Sequence, residues 1–127
     1  MILAIKTDSE IAEMYIVDDT GRVVKRRQWL AKRELAKNLL REIKKFLDDD
    51  FKKVNGLIVF RGPGSFTGLR IGITVMNAIS YSGNVPIFGS SGKNWLKDGV
   101  KKVLDGQNNQ IVTPDYGCAA NTTTQRK

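Results

Sequence analysis

The sequence has no histidine and a single cysteine in 127 residues. Without histidine, Ser-His-Asp and Cys-His catalysis are excluded, and the commonest zinc ligand is missing. Cys118 alone cannot close an internal disulfide, which fits a reducing compartment and leads us to expect a cytoplasmic protein. No apolar run approaches the roughly 20 residues that cross a bilayer, so no membrane segment is expected. The opening Met1–Lys6 turns polar too soon for a signal peptide. Negative charge is also scarce, with 13 acidic residues against 21 basic ones and a net charge of +8.

What is present is an ordinary folding composition, 41% hydrophobic and 27% charged, of a length that predicts one domain with one core. The charge is uneven. Residues 1–21 hold one lysine and five acids, whereas residues 22–53 hold twelve bases and five acids. A basic block of this kind attracts nucleic acid or an acidic protein surface, or it is simply the solvated side of a helix.

Hydrophobic periodicity orders the chain. Ile2–Thr7 reads as a central strand, Ala12–Val17 as a second, and Asp18-Asp19-Thr20-Gly21 turns into a third from Arg22. From about Ala31 the period becomes helical, with Leu35, Leu39, Ile43, Phe46 and Leu47 on one face, broadened by Ala36 and Leu40. Asp48-Asp49-Asp50 oppose the helix dipole, so the helix is expected to weaken there. Gly56–Phe60 reads as a buried strand, about Phe66–Tyr81 as a helix, Val85–Phe88 as a short strand and Ser91–Leu104 as a last helix. The order β-β-β-α-β-α-β-α predicts an α/β domain with a mixed sheet, of the ribonuclease H-like, actin-type ATPase kind. Residues 105–110 form a polar loop, and the remainder reads as a tail.

The most informative stretch runs from Arg61 to Gly72. Gly62 and Gly64 around Pro63 permit a sharp strand-to-helix turn, and Ser65 or Thr67 can cap the helix that follows. It is not a P-loop, because Gly68 is followed by Leu69 rather than by Lys and a hydroxyl residue. It is not a dinucleotide fingerprint either, because the third glycine comes one residue late. The helix carries two apolar stripes: Leu69, Ile73, Met76 and Ser80 on one side, and Ile71, Val75, Ala78 and Ile79 on another. A helix covering one sheet face needs one such stripe, so the second packs on a neighbouring helix or on a partner.

Gly62-Pro63-Gly64-Ser65-Phe66-Thr67-Gly68-Leu69-Arg70-Ile71-Gly72 resembles the signature of the TsaB family without a gap. Ile2–Ile5 is similar to that family's first strand, and Pro86–Ser91 to the segment after its second helix. Pro114-Asp115-Tyr116 with Asn121-Thr122-Thr123 is similar to its C-terminus. The resemblance implies a non-catalytic subunit in tRNA threonylcarbamoyladenosine synthesis, without cofactor or metal, that binds a TsaD-like enzyme and is joined by a TsaE-like ATPase. The contact it implies is a bundle of the first two helices, which can also form a homodimer. On this chain that surface is Leu35, Leu39, Leu40 and Ile43 with Gly68, Leu69, Gly72, Ile73 and Met76. Gly72→Trp is then expected to break the bundle and spare the fold. Lys6 stands where actin-type proteins carry a metal-serving aspartate. The resemblance also implies a second domain, of which residues 105–127 would be only a loop and a C-terminal tail after the domain at 1–104. tRNA would be reached through the complex. Alternatively Lys37, Arg41, Lys44, Lys45, Lys52 and Lys53 contact it directly.

Overall fold

The computed structural model describes residues 1–64 and 67–115. Strands β1 (Ile2–Lys6), β2 (Ile11–Val17) and β3 (Val23–Leu30) form an antiparallel meander. The β2–β3 turn is held by Asp18, whose carboxylate accepts hydrogen bonds from the Thr20 hydroxyl and from the amides of Thr20 and Arg22. The Thr20 hydroxyl, with those amides, holds this carboxyl below its usual range. A 3-10 turn at Lys32–Glu34 then leads into helix α1 (Leu35–Phe46). Helix α1 stops where the acidic triplet begins: Asp48 and Asp49 adopt left-handed backbone angles, which aspartate tolerates better than most residues.

After a second 3-10 turn at Phe51–Lys53 come β4 (Gly56–Gly62), α2 (Thr67–Gly83), β5 (Ile87–Ser91) and α3 (Trp95–Leu104). Strand order is β3-β2-β1-β4-β5, with β4 parallel to both β1 and β5. The expected element order holds, with shifted ends. β4 continues through Gly62, so the first signature glycine belongs to the strand. α3 starts at Trp95 rather than Ser91, because Ser91 closes β5 and Gly92 turns the chain with a left-handed φ of 81°.

Alternation along the strands assigns the two sheet faces. Leu3, Ile5 and Thr7 on β1 and its end, with Ile16 and Lys25 alongside, face α1 and α2: Thr7 meets α2, and the Lys25 ammonium donates to the Phe46 carbonyl of α1. Ile2, Gly56 and Ile58 face α3, whose Val103 and Gly99 lie against them. The core fills both interfaces, and Leu3, Ile5, Leu39, Ile43, Leu57, Leu69 and Met76 are fully buried. On the α3 face, Tyr15 and Phe60 each set a ring edge-on to Trp95. Burial, and then the hydrogen bond to Glu13, push the Tyr15 phenol up to about 12.

The stretch after α3 closes the open edge of β5. Asn109 donates its backbone N–H to the Ile87 carbonyl at 2.7 Å, while the side-chain oxygens of Asn108 and Asn109 accept from the amides of Ile87 and Gly89. Two asparagines thus do for the edge what a sixth strand would. Val112 is buried, and Asn77 of α2 grips its backbone twice, accepting from its N–H and donating to its carbonyl, both at 2.9 Å. Asn77→Ala leaves both backbone groups unpaired. It is expected to lower stability by about 1–3 kcal/mol, measured by urea unfolding.

Candidate partner-binding surface

The signature turn is built around backbone crowding. Gly62 has a φ of 130°, and a Cβ there would stand 2.0 Å from the Asp115 carbonyl oxygen, so only glycine fits. The same carbonyl accepts from the Gly64 N–H, while the Asp115 N–H donates to the Arg61 carbonyl. The Gly62–Pro63 peptide is cis. Pro63, Thr67 and Arg70 are exposed, and Ser65 and Phe66 lie outside the described residues.

Gly68 and Gly72 do face a close neighbour, and it is the chain's own Thr7. The buried Thr7 hydroxyl donates to the Gly68 carbonyl at 2.7 Å, and a Cβ on Gly72 would come within 2.1 Å of that hydroxyl oxygen. The bare Gly72 therefore lets α2 sit down on the end of β1, where the Gly68 carbonyl takes up the Thr7 hydroxyl. This corrects the sequence-based expectation for Gly72→Trp, which would strike the core before any partner.

The expected contact surface needs correcting residue by residue. Leu35, Leu39, Ile43, Leu69, Ile73 and Met76 are at most 3% exposed, and Gly68 and Gly72 are buried. All eight pack mainly inward on the sheet or between the helices, although Leu35 and Gly68 also line a surface pocket with Thr67 and Ile71. Leu40 alone of the expected set is outward, at 46% exposure. The outward part of α2 is the other apolar stripe: Ile71, Val75 and Ile79 are half-buried beside α1, and Ala78 is exposed. With Ala36 and Leu40 of α1 they form an apolar seam along the helix pair.

The seam deepens where α1 ends. Leu40, Phe51, Val54, Val75, Ile79 and Val85 surround an apolar groove of about 410 Å³. Beyond it Tyr81 is 91% exposed. Helix α2 has 17 residues and one charged side chain, Arg70. A helix turned to water normally carries more.

The basic residues lie to one side of this seam. Lys37, Arg41, Lys44 and Lys45 are exposed on α1, and Lys52 and Lys53 on the following turn. Arg41 donates to the Asn38 side chain, and Lys53 pairs with Asp50 at 3.4 Å. Among the described residues, none of the other four makes an ion pair.

Lys6 sits at the end of β1 on the α3 face. Its ammonium pairs with Asp8 and lies 4.7 Å from the centre of the Phe60 ring. The positive charge is thus matched within the chain. Among the described residues no cluster of three or more acidic, cysteine or histidine side chains could hold a metal, and no helix is long and apolar enough to cross a membrane.

Comparison with known proteins agrees with this architecture. The family model described as TsaD, tRNA N6-adenosine threonylcarbamoyltransferase, matches residues 27–122. The tRNA threonylcarbamoyladenosine biosynthesis protein TsaB of Escherichia coli is 29% identical, in an alignment covering 91% of this chain and 54% of that protein. TsaB of Buchnera aphidicola is 35% identical over 68% of this chain and 45% of its own length. The chain therefore spans about half the length of these curated relatives. YeaZ from Pseudomonas aeruginosa superposes with a TM-score of 0.62 at 28% identity, covering 71% of this chain and 43% of that one. With its five-stranded mixed sheet and its helices on both faces, the chain belongs to the family described by the TsaD model and is, within it, a TsaB/YeaZ-like protein of actin-like, ribonuclease H-like fold.

Proposed function

We propose that this chain acts in tRNA threonylcarbamoyladenosine synthesis as a non-catalytic binding subunit that pairs with a TsaD-like enzyme through the outer face of α1 and α2. The observation that carries this reading is the apolar seam along a nearly uncharged, outward-facing helix. Removing such a seam from water stabilises a complex by roughly 25 cal/mol for each Å² of apolar surface covered. The names of the relatives supply the pathway.

A binding role also suits the chemistry at the end of β1. Lys6 puts an ammonium where a metal would need a free carboxylate, and the Asp8 carboxylate beside it is already engaged by that ammonium. The TsaE-like ATPase and the tRNA enter this reading as further members of the assembly. Direct tRNA binding through the α1 bases is the weaker reading, because RNA would leave the seam and its groove in water.

Sedimentation of the purified chain with the TsaD-like protein of its own organism tests the pairing. A stable complex is expected, with the chain alone showing no nucleotide turnover. Absence of a complex under all salt conditions would defeat the proposal.

A further inference from the structure

We propose that the open edge of β3 takes up an extended acidic segment of another protein as an added antiparallel strand. The inference stands on a different part of the molecule from the α1–α2 face and does not depend on the pairing read there.

The two edges of the sheet are finished differently. At β5, the side chains of Asn108 and Asn109 occupy the amides of Ile87 and Gly89. At the other end β3 is last in the strand order, with no strand beyond it among the described residues. The Ala31 N–H donates to the Glu10 carbonyl, and the same register sets Trp29 opposite Ala12 and Arg27 opposite Met14. Antiparallel pairing alternates, so these residues turn their backbone groups to β2, while Arg26, Gln28 and Leu30 turn theirs outward. The register shifts at Val24, which leaves Lys25 to Leu30 as the regular template. Apolar surface gathers on the same edge. Ile11, Val23, Val24 and Leu30 are four of the eight large hydrophobic residues exposed among those described. Leu30 lies opposite Ile11, so the two form an apolar step that α3 leaves uncovered.

Charge gives the chemistry of the segment. β3 holds Lys25, Arg26 and Arg27 and no acid. Alternation puts Lys25 and Arg27 on the α1 face and Arg26 on the other. Glu42 neutralises Arg27 at 3.0 Å, whereas Lys25 donates to the Phe46 carbonyl, which carries no full charge. Arg26 is exposed and makes no ion pair among the described residues. Glu13, on its face, accepts from the Tyr15 hydroxyl. An added strand therefore meets an uncompensated cation on each face at adjacent positions, and the apolar step at the other end. Neighbouring carboxylates at one end and apolar side chains at the other match it, with main-chain hydrogen bonds between. A second copy fits worse. In every two-fold register β3 would face β3, cations against cations, with Glu13 a strand further in and Glu42 occupied by Arg27. Edge cations are a common device against such self-pairing. RNA would match Lys25 and Arg26 but brings no strand to the outward backbone groups.

The test titrates two fluorescein-labelled peptides into the folded chain at low salt: Val-Ile-Thr-Thr-Glu-Glu, and its analogue with lysines in place of the glutamates. The acidic peptide is expected to bind at least about tenfold more tightly than the analogue, and Arg26→Glu to reverse that order. Gln28→Pro removes an outward N–H at an edge position where proline is tolerated. It is expected to weaken binding at least about tenfold, while Gln28→Ala stays within about twofold. Each variant is checked for folding by circular dichroism, and Arg26→Glu keeps the test decisive should Gln28→Pro fold poorly. No binding of the acidic peptide, equal binding of both peptides, or full binding by folded Gln28→Pro would overturn the proposal. A dimer through β3 that excludes the peptide would give the edge to a second copy and overturn it too. RNA held at low salt and released by Arg26→Glu, with neither peptide bound, would overturn it in favour of a nucleic-acid contact.

Discussion

Ala78→Arg is expected to weaken binding of the TsaD-like protein by about 2–4 kcal/mol, roughly 30- to 1000-fold, while leaving the fold intact. Ala78 is exposed on the outer stripe of α2 and lines the groove formed with Leu40 and Phe51. In the free chain, arginine at this position simply extends into water, and its helix propensity is close to that of alanine. Stability should therefore move by no more than about 0.5 kcal/mol. In the complex the same side chain would fill the groove with a charge, and burying it there without a partner is costly. Isothermal titration gives the first quantity and urea unfolding the second. The separation between the two is the signature of a surface residue.

Gly72→Ala is expected to do the opposite and destabilise the chain by about 2–4 kcal/mol. Alanine in a helix would ordinarily gain up to about 1 kcal/mol over glycine. Here its Cβ would stand 2.1 Å from the Thr7 hydroxyl oxygen and 3.3 Å from the Thr7 Cβ. Thr7 is 1% exposed and its hydroxyl is committed to the Gly68 carbonyl, so it cannot turn away without leaving that hydroxyl buried and unpaired. The clash outweighs the propensity gain. Thr7→Ala removes the nearest atom and should recover part of the loss in a double-mutant cycle. Gly64→Ala serves as the contrast, because among the described residues its new Cβ would meet only Leu69, at an ordinary 3.8 Å. It is expected to change stability by less than about 0.5 kcal/mol. Equal losses at Gly64 and Gly72 in urea unfolding would show that the signature glycines are required for some reason other than this packing.

The strands and the inward face of α1 were legible because their hydrophobic periods are clean. Leu35, Leu39, Ile43 and Phe46 recur at helical spacing and all four are buried. Helix α2 was legible as a helix with two apolar sides but not as to which side was which. Leu69 and Ile73 read the same as Ile71 and Val75 by hydropathy, and only the position of β1 decides between them. Thr7 is the residue that decides, and nothing local marks it as the neighbour of Gly68 and Gly72, some sixty residues away. The stretch after α3 was read as a loop because asparagines in sequence look like turn formers. Their role at the edge of β5 depends on Ile87 and Gly89 presenting free amides there, which is a property of strand order. Gly62 gave a turn signal, but the crowding that requires it comes from Asp115 at the far end of the described chain.

Hydroxyl-radical footprinting of the chain, free and bound to its TsaD-like partner, tests most directly whether the outer α1–α2 face is the binding surface. Leu40 and Tyr81 lie on that face at 46% and 91% exposure, while Leu104, at 48%, lies on α3 across the sheet. Loss of reactivity at Leu40 and Tyr81, with Leu104 unchanged, is the expected result. Protection of Leu104 with Leu40 and Tyr81 still reactive would contradict it.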